Sequence, residues 1–519
     1  MKIGSTSVDR KPSYANNPFG HRAARIQPAR STLLAIFALC VGLSAAQGNA
    51  RTVGMSDTPL SIEHVTIYPM TAGGHALADV TVRIKDGRIV NILQTAAQGS
   101  SKGFKRVDAS GKWLMPALSD MHVHQESARL FGLFLGANAV PPSMLDNEDL
   151  LLPYVSNGVL QIFNPAAMTE QIGLRDDIEA GRILGPHIEL AAMVDGVTPV
   201  WPIGFSHVAA TPEDGRQFVR DMKADGFRFI KTYSKLDLPT FKAIVAEARE
   251  AGLKVVGHIP GRREDATEQW LLPGFEMVMH AEEFAYQSAD PSRAESQIAR
   301  YVALAKDRGV QLTATLTTNE RIVEQISDHQ SLNNRPELQY LNPATRLFWS
   351  SMSPYAQVPR AELPSFEHVV DFNKKLVKAF ADAGVTIFPG TDSLVPGLVA
   401  GFSLHDELEA LARAGLSPVQ ILTADTRLAA DWLGVSTDRG TLEIGKRADL
   451  LLLTADPMAD VSNTRQIAAV IRDGHYLSRQ MLDEMMSALA DRYARMPAVR
   501  VPHSPISPGT GGHFGDEDQ

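Results

Sequence analysis

The chain changes rhythm twice along its length. Between about 58 and 115, apolar and polar residues alternate over 62–68, 78–85 and 87–93, with turn signals at Gly73-Gly74 and Asp86-Gly87 between them. Alternation with period two puts every second side chain on one face, so these segments predict short, half-buried strands. The texture returns near the end, where 440–445 reads as a strand and turn, 448–454 as a buried strand, and 467–476 as a strand closing at Asp473-Gly474. Two β-rich pieces flanking a long middle predict one small β-sandwich built from the N- and C-terminal segments.

The middle reads differently. Apolar or β-branched runs recur at 117–124, 158–163, 187–192, 227–233, 253–258, 275–280, 310–316 and 385–389, most of them separated by helix-like stretches such as 238–251 and 296–308. Strands alternating with helices in this way predict an α/β fold with a (β/α)8 TIM barrel. An open doubly wound sheet would call for a Gly-rich phosphate loop after its first strand, and the sequence has none there. Segment 318–365 interrupts the pattern with Pro336, Pro343, Pro354, Pro359 and Pro364 and with Tyr340, Phe348, Trp349 and Tyr355. A connection of that length predicts either a lid or a surface insertion with its own small core. The domain reading is therefore 1–50 as a leader, 51–115 and 436–480 as the two parts of the sandwich, and 116–435 as the barrel. Residues 481–519 read as a C-terminal helix and a Pro/Gly/Ser-rich tail, expected to be disordered from Pro497 onward.

Composition changes this picture little: 519 residues, 44% hydrophobic and 21% charged, suit one large and one small folded domain. A formal charge of −9 without any Lys/Arg run argues against nucleic acid as a partner. The leader is distinctive. Arg22, Arg25 and Arg30 precede an apolar run over 33–43, and small residues follow at Ser44, Ala45 and Ala46. That order matches an export signal, so a periplasmic or secreted location is expected. An uncleaved N-terminal segment is the alternative, and the only expected contact with a membrane; the run is shorter than the about 20 apolar residues of a span. Cys40, the sole cysteine, lies in this run, where bulky Leu39 before it argues against lipid attachment. Without residues 1–50, which hold six Lys/Arg and one Asp, the formal charge moves from −9 to −14. The remaining chain then has no cysteine for a disulfide, a thiolate nucleophile or a sulfur-ligated metal.

The candidate chemistry sits where a TIM barrel places active sites, at the C-terminal ends of the strands. The first strand ends in His122-Val123-His124, after Asp120, and alternation turns both imidazoles to one side, where they can grip one cation. The fourth carries Lys231, the fifth ends at His258, the sixth at His280, and the eighth at Asp392 within Gly390-Thr391-Asp392-Ser393. Each alone has a plain structural explanation: a hydrogen-bonded histidine, a surface lysine, an Asp capping the next helix. Six such residues ending five of eight strands leave little room for that explanation jointly.

This set resembles the metal-binding signature of the amidohydrolase superfamily. Residues 114–124 resemble its entry motif, with Ala117 where glycine is usual. Residues 174–186, 404–418 and 440–457, the last with Gly445-Lys446-Arg447-Ala448-Asp449-Leu450, resemble the imidazolonepropionase-like and Xaa-Pro dipeptidase-like branch. The resemblance spans roughly 60–480. It implies a metal-dependent hydrolase of carbon–nitrogen bonds with two divalent metal ions, zinc most often. His122, His124 and Asp392 would hold one ion and His258 and His280 the other, with a carbamate on Lys231 bridging them. An unmodified Lys231 would leave a single-metal site on the His122/His124 side. The resemblance further implies metal-activated hydroxide as nucleophile and Asp392 as the catalytic proton shuttle to the leaving nitrogen. Tyr233, two residues beyond Lys231, either hydrogen-bonds the developing oxyanion or packs at the barrel rim. His405 and Glu407 either line the pocket or serve helix capping. The implied partner is a small-molecule amide, dipeptide or cyclic amide, and homo-oligomerisation stays open. Gly257-His258-Ile259-Pro260 departs from the Ala-His of better-known dipeptidases, which weighs against a peptidase. The alternatives are a phosphotriesterase or lactonase using the same centre, and a non-catalytic barrel that only binds.

Overall fold

The computed structural model describes residues 58–499, apart from 98, 262–266, 289, 290 and 329. The export-like leader with Cys40 and the tail beyond 499 lie outside the described residues. Among the described residues, no helix is long and apolar enough to cross a membrane.

The first strands are β1 (Leu60–Ile67), β2 (Leu77–Lys85), β3 (Arg88–Gln94), β4 (Lys105–Asp108) and β5 (Trp113–Pro116). The barrel strands follow: β6 (Leu118–Asp120), β7 (Val159–Asn164), β8 (His187–Asp195) with a short spur β9 (His207–Val208), then β10 (Phe229–Thr232), β11 (Lys254–Gly257), β12 (Phe275–Met279), β13 (Gln311–Thr313) and β14 (Ile387–Phe388). The last three are β15 (Leu450–Leu453), β16 (Ile467–Arg472) and β17 (His475–Ser478).

The strands from both ends of the chain form one mixed sheet, in the order β17-β16-β15-β5-β1-β2-β3 with β4 beside β1. The seam is the antiparallel pairing of Trp113–Pro116 with Leu450–Leu453. β1 serves two neighbours, pairing with β4 at its start and β5 at its end. Its ladder with β2 is irregular between Ile62 and Val65, where His64 takes a φ of 60°. The core of this sheet is aliphatic, with Ile62, Val65, Val82, Leu114, Leu450 and Ile471 all buried. Segment 440–445, expected as a strand and turn, forms the turn without the strand: Gly440 and Gly445 have φ of 92° and 94°, outside the extended range, and beyond it Arg447 makes an isolated bridge to Arg88.

The eight barrel strands are parallel and run in the order β14-β13-β12-β11-β10-β8-β7-β6. Closure comes from residues just past the strand ends. Met121 N donates to Pro389 O at 3.0 Å, Asp392 N to His122 O at 2.7 Å, and His124 N to Ser393 O at 2.9 Å. The connecting helices start and stop where their sequence dictates. Thr211 and Asp237 cap the helices Pro212–Asp225 and Leu238–Ala251 with their side-chain oxygens, and Gly226 and Gly252 end them in the left-handed region. The barrel interior is plugged at its N-terminal end by Trp432, stacked at 5.3 Å on Phe229 and edge-on at 5.7 Å to Phe163. With that end filled by aromatics, polar side chains can converge only at the opposite mouth.

Segment 318–365 is largely helical and belongs to the mouth. Helix Leu316–Ser327 is followed by short 3-10 turns and by helices Pro343–Met352 and Leu363–Asp382. Leu341, Ala344, Phe348 and Trp349 share one core with Phe131, Phe134, Tyr233 and Leu394. Trp349 Nε1 donates to Leu394 O at 2.9 Å and Asn342 Nδ2 to Met144 O at 2.7 Å, tying the insertion to the rim.

A buried polar joint fastens the barrel to the small sheet. His187 opens β8 and places Nε2 2.8 Å from Asp449 of the Gly-Lys-Arg-Ala-Asp-Leu segment, and its other ring nitrogen contacts Glu179. Asp449 also accepts from Arg472 at 3.3 Å and from Asp473 N at 2.7 Å. Burial works to raise the Asp449 carboxyl, yet Arg472 and His187 hold it far below the usual carboxylate range. Burial opposes the shift at Glu179 as well, but His187, Arg439 and Arg447 lower its carboxyl to about 2. Both native-state values are depressed, so their stabilisation is complete above the unfolded-state carboxylate values and is lost as pH falls through the lower folded ones. Thermal stability should therefore decline as pH drops below about 4. Asp449→Asn should cost roughly 3–5 kcal/mol at neutral pH, because it strands buried partners. It should also flatten the acid limb; an unchanged limb in calorimetry from pH 7 to 3 would remove Asp449 from this role.

Candidate metal centre

Five of the eight strand ends deliver these side chains to the mouth. His122 follows β6, Lys231 lies within β10, His258 follows β11, His280 follows β12, and Asp392 lies four residues past β14. Ligand atoms of His122, His280 and Asp392 all lie within 4.8 Å of one another, and all three residues are buried. His122 Nε2 is 3.3 Å from Asp392 Oδ1, and His124 Nε2 is 3.0 Å from the same oxygen. The rings continue the chain of contacts, with centroids of His122 and His280 at 4.6 Å and of His280 and His258 at 5.0 Å. Tyr233 packs its ring 4.0 Å from that of His258, and Lys231 Nζ lies 5.4 Å from the Tyr233 ring centroid. The seven residues nominated from the sequence thus meet in one cluster. Three of them reach ligand spacing, and the others adjoin those three.

The backbone at this mouth is strained. His280, Thr315, Asp392 and Leu394 have φ of 80°, 49°, 57° and 102°. Such conformations cost about 1–3 kcal/mol each in non-glycine residues and persist where surrounding bonds over-determine them. Here Asp392 N is held by His122 O at 2.7 Å and His280 N by Thr313 O at 2.9 Å. Asp120, fully buried, accepts from Thr391 N at 2.9 Å and Thr391 Oγ1 at 2.7 Å, locking the turn that presents Asp392. Gly257, before His258, has φ of 136°, and a Cβ there would sit 2.2 Å from Thr232 O. Glycine in Gly-His is therefore a steric requirement of the β10–β11 contact, whatever the substrate.

Sequence reasoning gave no role to the groups that orient the histidines. Glu283 Oε1 lies 2.8 Å from His258 Nδ1, while Oε2 accepts from Ile259 N at 3.0 Å. Thr315 Oγ1 lies 2.9 Å from His280 Nδ1. A carboxylate or hydroxyl on one ring nitrogen fixes ring orientation and tautomer, the arrangement that readies an imidazole to bind metal. Glu282-Glu283, two and three residues after His280, is the available signal, an acidic pair at a strand end in an apolar setting. His405 and Glu407 have structural roles. His405 bridges Thr464 Oγ1 and Asn157 O at 2.8 and 3.0 Å, and Glu407 accepts from Leu316 N and Thr317 N, capping the helix Leu316–Ser327.

The electrostatics suit cation binding. Burial lowers the His122 and His124 imidazoles, favouring the neutral, lone-pair-bearing form. Burial works to raise Asp392, but His122, His124 and His280 hold its carboxylate well below the usual range. Burial brings the Lys231 amine down to about 8, against the pull of Asp392 and Glu283. Burial also pushes Asp120 up to about 7, Glu126 to about 7 and Glu282 to about 8. Both ring nitrogens of His122 lack a hydrogen-bond partner although the residue is 0% exposed. Such orphaned groups are costly unless something further completes them. Two imidazoles and a carboxylate at this spacing are a donor set that fits a divalent metal ion.

The Amidohydrolase family profile matches residues 113–477, well over half of the chain. The chain belongs to the amidohydrolase family. A curated relative, the imidazolonepropionase of Agrobacterium fabrum (strain C58 / ATCC 33970), is 25% identical over 408 residues, covering 76% of this chain and 89% of the relative. A Xaa-Pro dipeptidase structure with bound methionine in its active site superposes with a TM-score of 0.61 at 17% identity, covering 81% of this chain and 100% of the other. A bottromycin amidohydrolase structure gives 0.65 at 21% identity, covering 87% and 94%. At these identities the structural likenesses establish the fold, a TIM-like barrel beside a sheet from both chain ends. This amidohydrolase is a metal-dependent hydrolase with a buried His122/His280/Asp392 candidate metal site.

One consequence concerns Glu283. Glu283→Gln keeps a side-chain acceptor for Ile259 N but removes the charge beside His258. Metal affinity should fall about 10–100-fold, with the fold retained. Chelator competition reads this directly, and unchanged affinity would show that Glu283 plays no part in orienting a ligand.

Proposed function

We propose that this amidohydrolase cleaves the carbon–nitrogen bond of a small amide, dipeptide or cyclic amide at two divalent cations. In this reading His122, His124 and Asp392 would hold one ion and His258 and His280 the other, with Lys231, carboxylated to a carbamate, as a ligand to both. Zinc is the first metal to test, since nitrogen and carboxylate donors suit it. The supporting observation is the convergence of all six side chains in one cluster whose central histidine, His122, is buried with neither ring nitrogen hydrogen-bonded. Lys231 is 2% exposed, and an ammonium there would repel cations and offer no lone pair. A carbamate removes that conflict. The dipeptidase among the fold relatives supports a small peptidic substrate. The leader, if it directs export, would place this activity in the periplasm or outside the cell.

A bound cation would supply Lewis acidity at the substrate carbonyl and lower the pKa of water toward about 7. Asp392 would accept the water proton and return it to the leaving nitrogen, a role supported by a carboxylate held well below its usual range beside His122 and His124. Tyr233, beside His258, would hydrogen-bond the developing oxyanion from the rim. The test is elemental analysis with native mass on protein purified without chelators, paired with panels of amides, lactones and phosphotriesters. About two metal equivalents and amide turnover are expected. One equivalent would argue for an unmodified Lys231. Turnover of lactones or phosphotriesters alone would move the assignment from amides to oxygen esters, and metal-free, inactive protein would overturn it.

A further inference from the structure

The loop between β8 and β9 holds apolar surface in the open at the barrel mouth. Its residues 196–206 read Gly-Val-Thr-Pro-Val-Trp-Pro-Ile-Gly-Phe-Ser, without one charged side chain. Val197 and Ile203, 66% and 73% exposed, are the most exposed large hydrophobic residues among those described. The loop is anchored at its base by buried Asp195, which accepts from Gly196 N and Val200 N at 2.9 Å and from Lys235 N at 2.7 Å. Apolar surface kept exposed by such an anchor is the mark of a binding surface.

What it binds follows from where its rings lead. Phe205 stands edge-on to His124 with centroids 6.2 Å apart, and half-buried Trp201 is 6.4 Å from Tyr233, whose ring is 4.0 Å from that of His258. Trp201 and Phe205 meet at 6.3 Å and share Phe134 as a neighbour. The loop thus builds an aromatic wall that reaches two histidines of the metal centre. His124 is also the most open of the four, its side chain 17% exposed against 4% or less for the others. The enclosed space by Gln125 and Thr345 takes only about one water, so a larger side group beside His124 finds its apolar surface at the wall. Arg129 reaches the loop at Gly204, but its charge is matched by Glu170 at 3.2 Å.

Resting on the amide-hydrolase reading above, we propose that Trp201 and Phe205 determine specificity, taking an aromatic or branched apolar group of the substrate beside the scissile bond. The substrate class narrows accordingly, from small amides in general to those carrying such a group on one side of that bond. Amides whose side groups are charged would be poor substrates, because the wall would desolvate the charge without a partner.

The test uses the metal-loaded enzyme and two series of compounds. Phe-Ala and Ala-Phe are compared with Ala-Ala for turnover. Phenylacetohydroxamic and N-benzylacetohydroxamic acids are compared with acetohydroxamic acid for binding by calorimetry. Each series puts a ring on one side of the amide bond and then on the other. At least one ring-bearing compound should exceed its small parent about tenfold or more in kcat/KM or affinity, the worth of a partly buried aromatic group. Trp201→Ala should bring that ratio near one and Trp201→Phe should restore most of it, whereas loss of a merely structural ring would lower both members of a pair alike. The proposal stands on a ring preference in either series that Trp201→Ala abolishes. It falls if neither series shows one, or if the preference survives Trp201→Ala. A Trp201-dependent preference among the hydroxamates with no dipeptide cleaved would end the dipeptide reading and keep the wall. Dipeptides cleaved without ring preference in either series would keep hydrolysis and overturn the wall; a dimer by native mass that Ile203→Asp splits would then make a second copy the occupant. Where Trp201→Ala fails to fold by circular dichroism, Trp201→Gln takes its place.

Discussion

Asp392→Asn is expected to lower kcat by about 10²–10⁴-fold, the range for losing a positioned proton acceptor, while leaving the fold intact. The shape is conserved and so is the backbone. Asp392 has φ of 57°, and asparagine is among the few residues that adopt the left-handed region readily. What is lost is the negative charge that His122, His124 and His280 surround. That charge has two possible uses, holding a cation and carrying a proton, and the variant separates them. If metal binding alone were affected, saturating metal would restore the rate. A deficit persisting at full occupancy is the expected result, read from steady-state kinetics beside metal content. A near-normal rate would remove Asp392 from proton transfer.

Lys231→Ala is expected to abolish most activity, by about 10² or more, and to lower bound metal towards one equivalent. Lys231 is among the largest fully buried side chains, so the truncation leaves a polar-walled gap between Asp392 and Glu283, the carboxylates that face the amine. Acetate or propionate can enter such a gap and place a carboxylate where the carbamate would lie. Addition of these acids with metal should therefore restore part of the activity and the second metal equivalent. Benzoate, too large for the gap, should not. Absence of any rescue, with the variant folded, would refute the bridging role and return the centre to a single-metal form.

Much of the architecture was legible because it is local. Period-two alternation marked the strands of the small sheet, and the strand–helix rhythm with Thr211, Asp237, Gly226 and Gly252 at helix ends marked the barrel. Two local readings went differently. Residues 440–445 read as a strand and turn, but only the turn forms, with left-handed Gly440 and Gly445. Segment 318–365, expected as a lid or as an insertion with a core of its own, is largely helical: Pro343 and Pro364 stand at helix starts, where proline is tolerated, and Phe348 and Trp349 join the core of the mouth.

The candidate site divides along the same line. By itself the sequence nominated His122, His124, Lys231, His258, His280 and Asp392, because ligand-type residues at strand ends are a pattern of position along the chain. It also determined that no cysteine beyond Cys40 could take part. Only the tertiary structure decided which of these side chains come within ligand spacing and what steers them. The Glu283–His258 and Thr315–His280 contacts, the Asp120–Thr391 lock, and the Glu126–Thr345 hydrogen bond join residues that are far apart in the sequence, or whose orientation depends on a neighbouring strand. Closure of the barrel through Met121–Pro389 and His122–Asp392 brings the first and eighth strands together. No periodicity encodes that distance, because it is set by how eight strands twist and pack around Trp432.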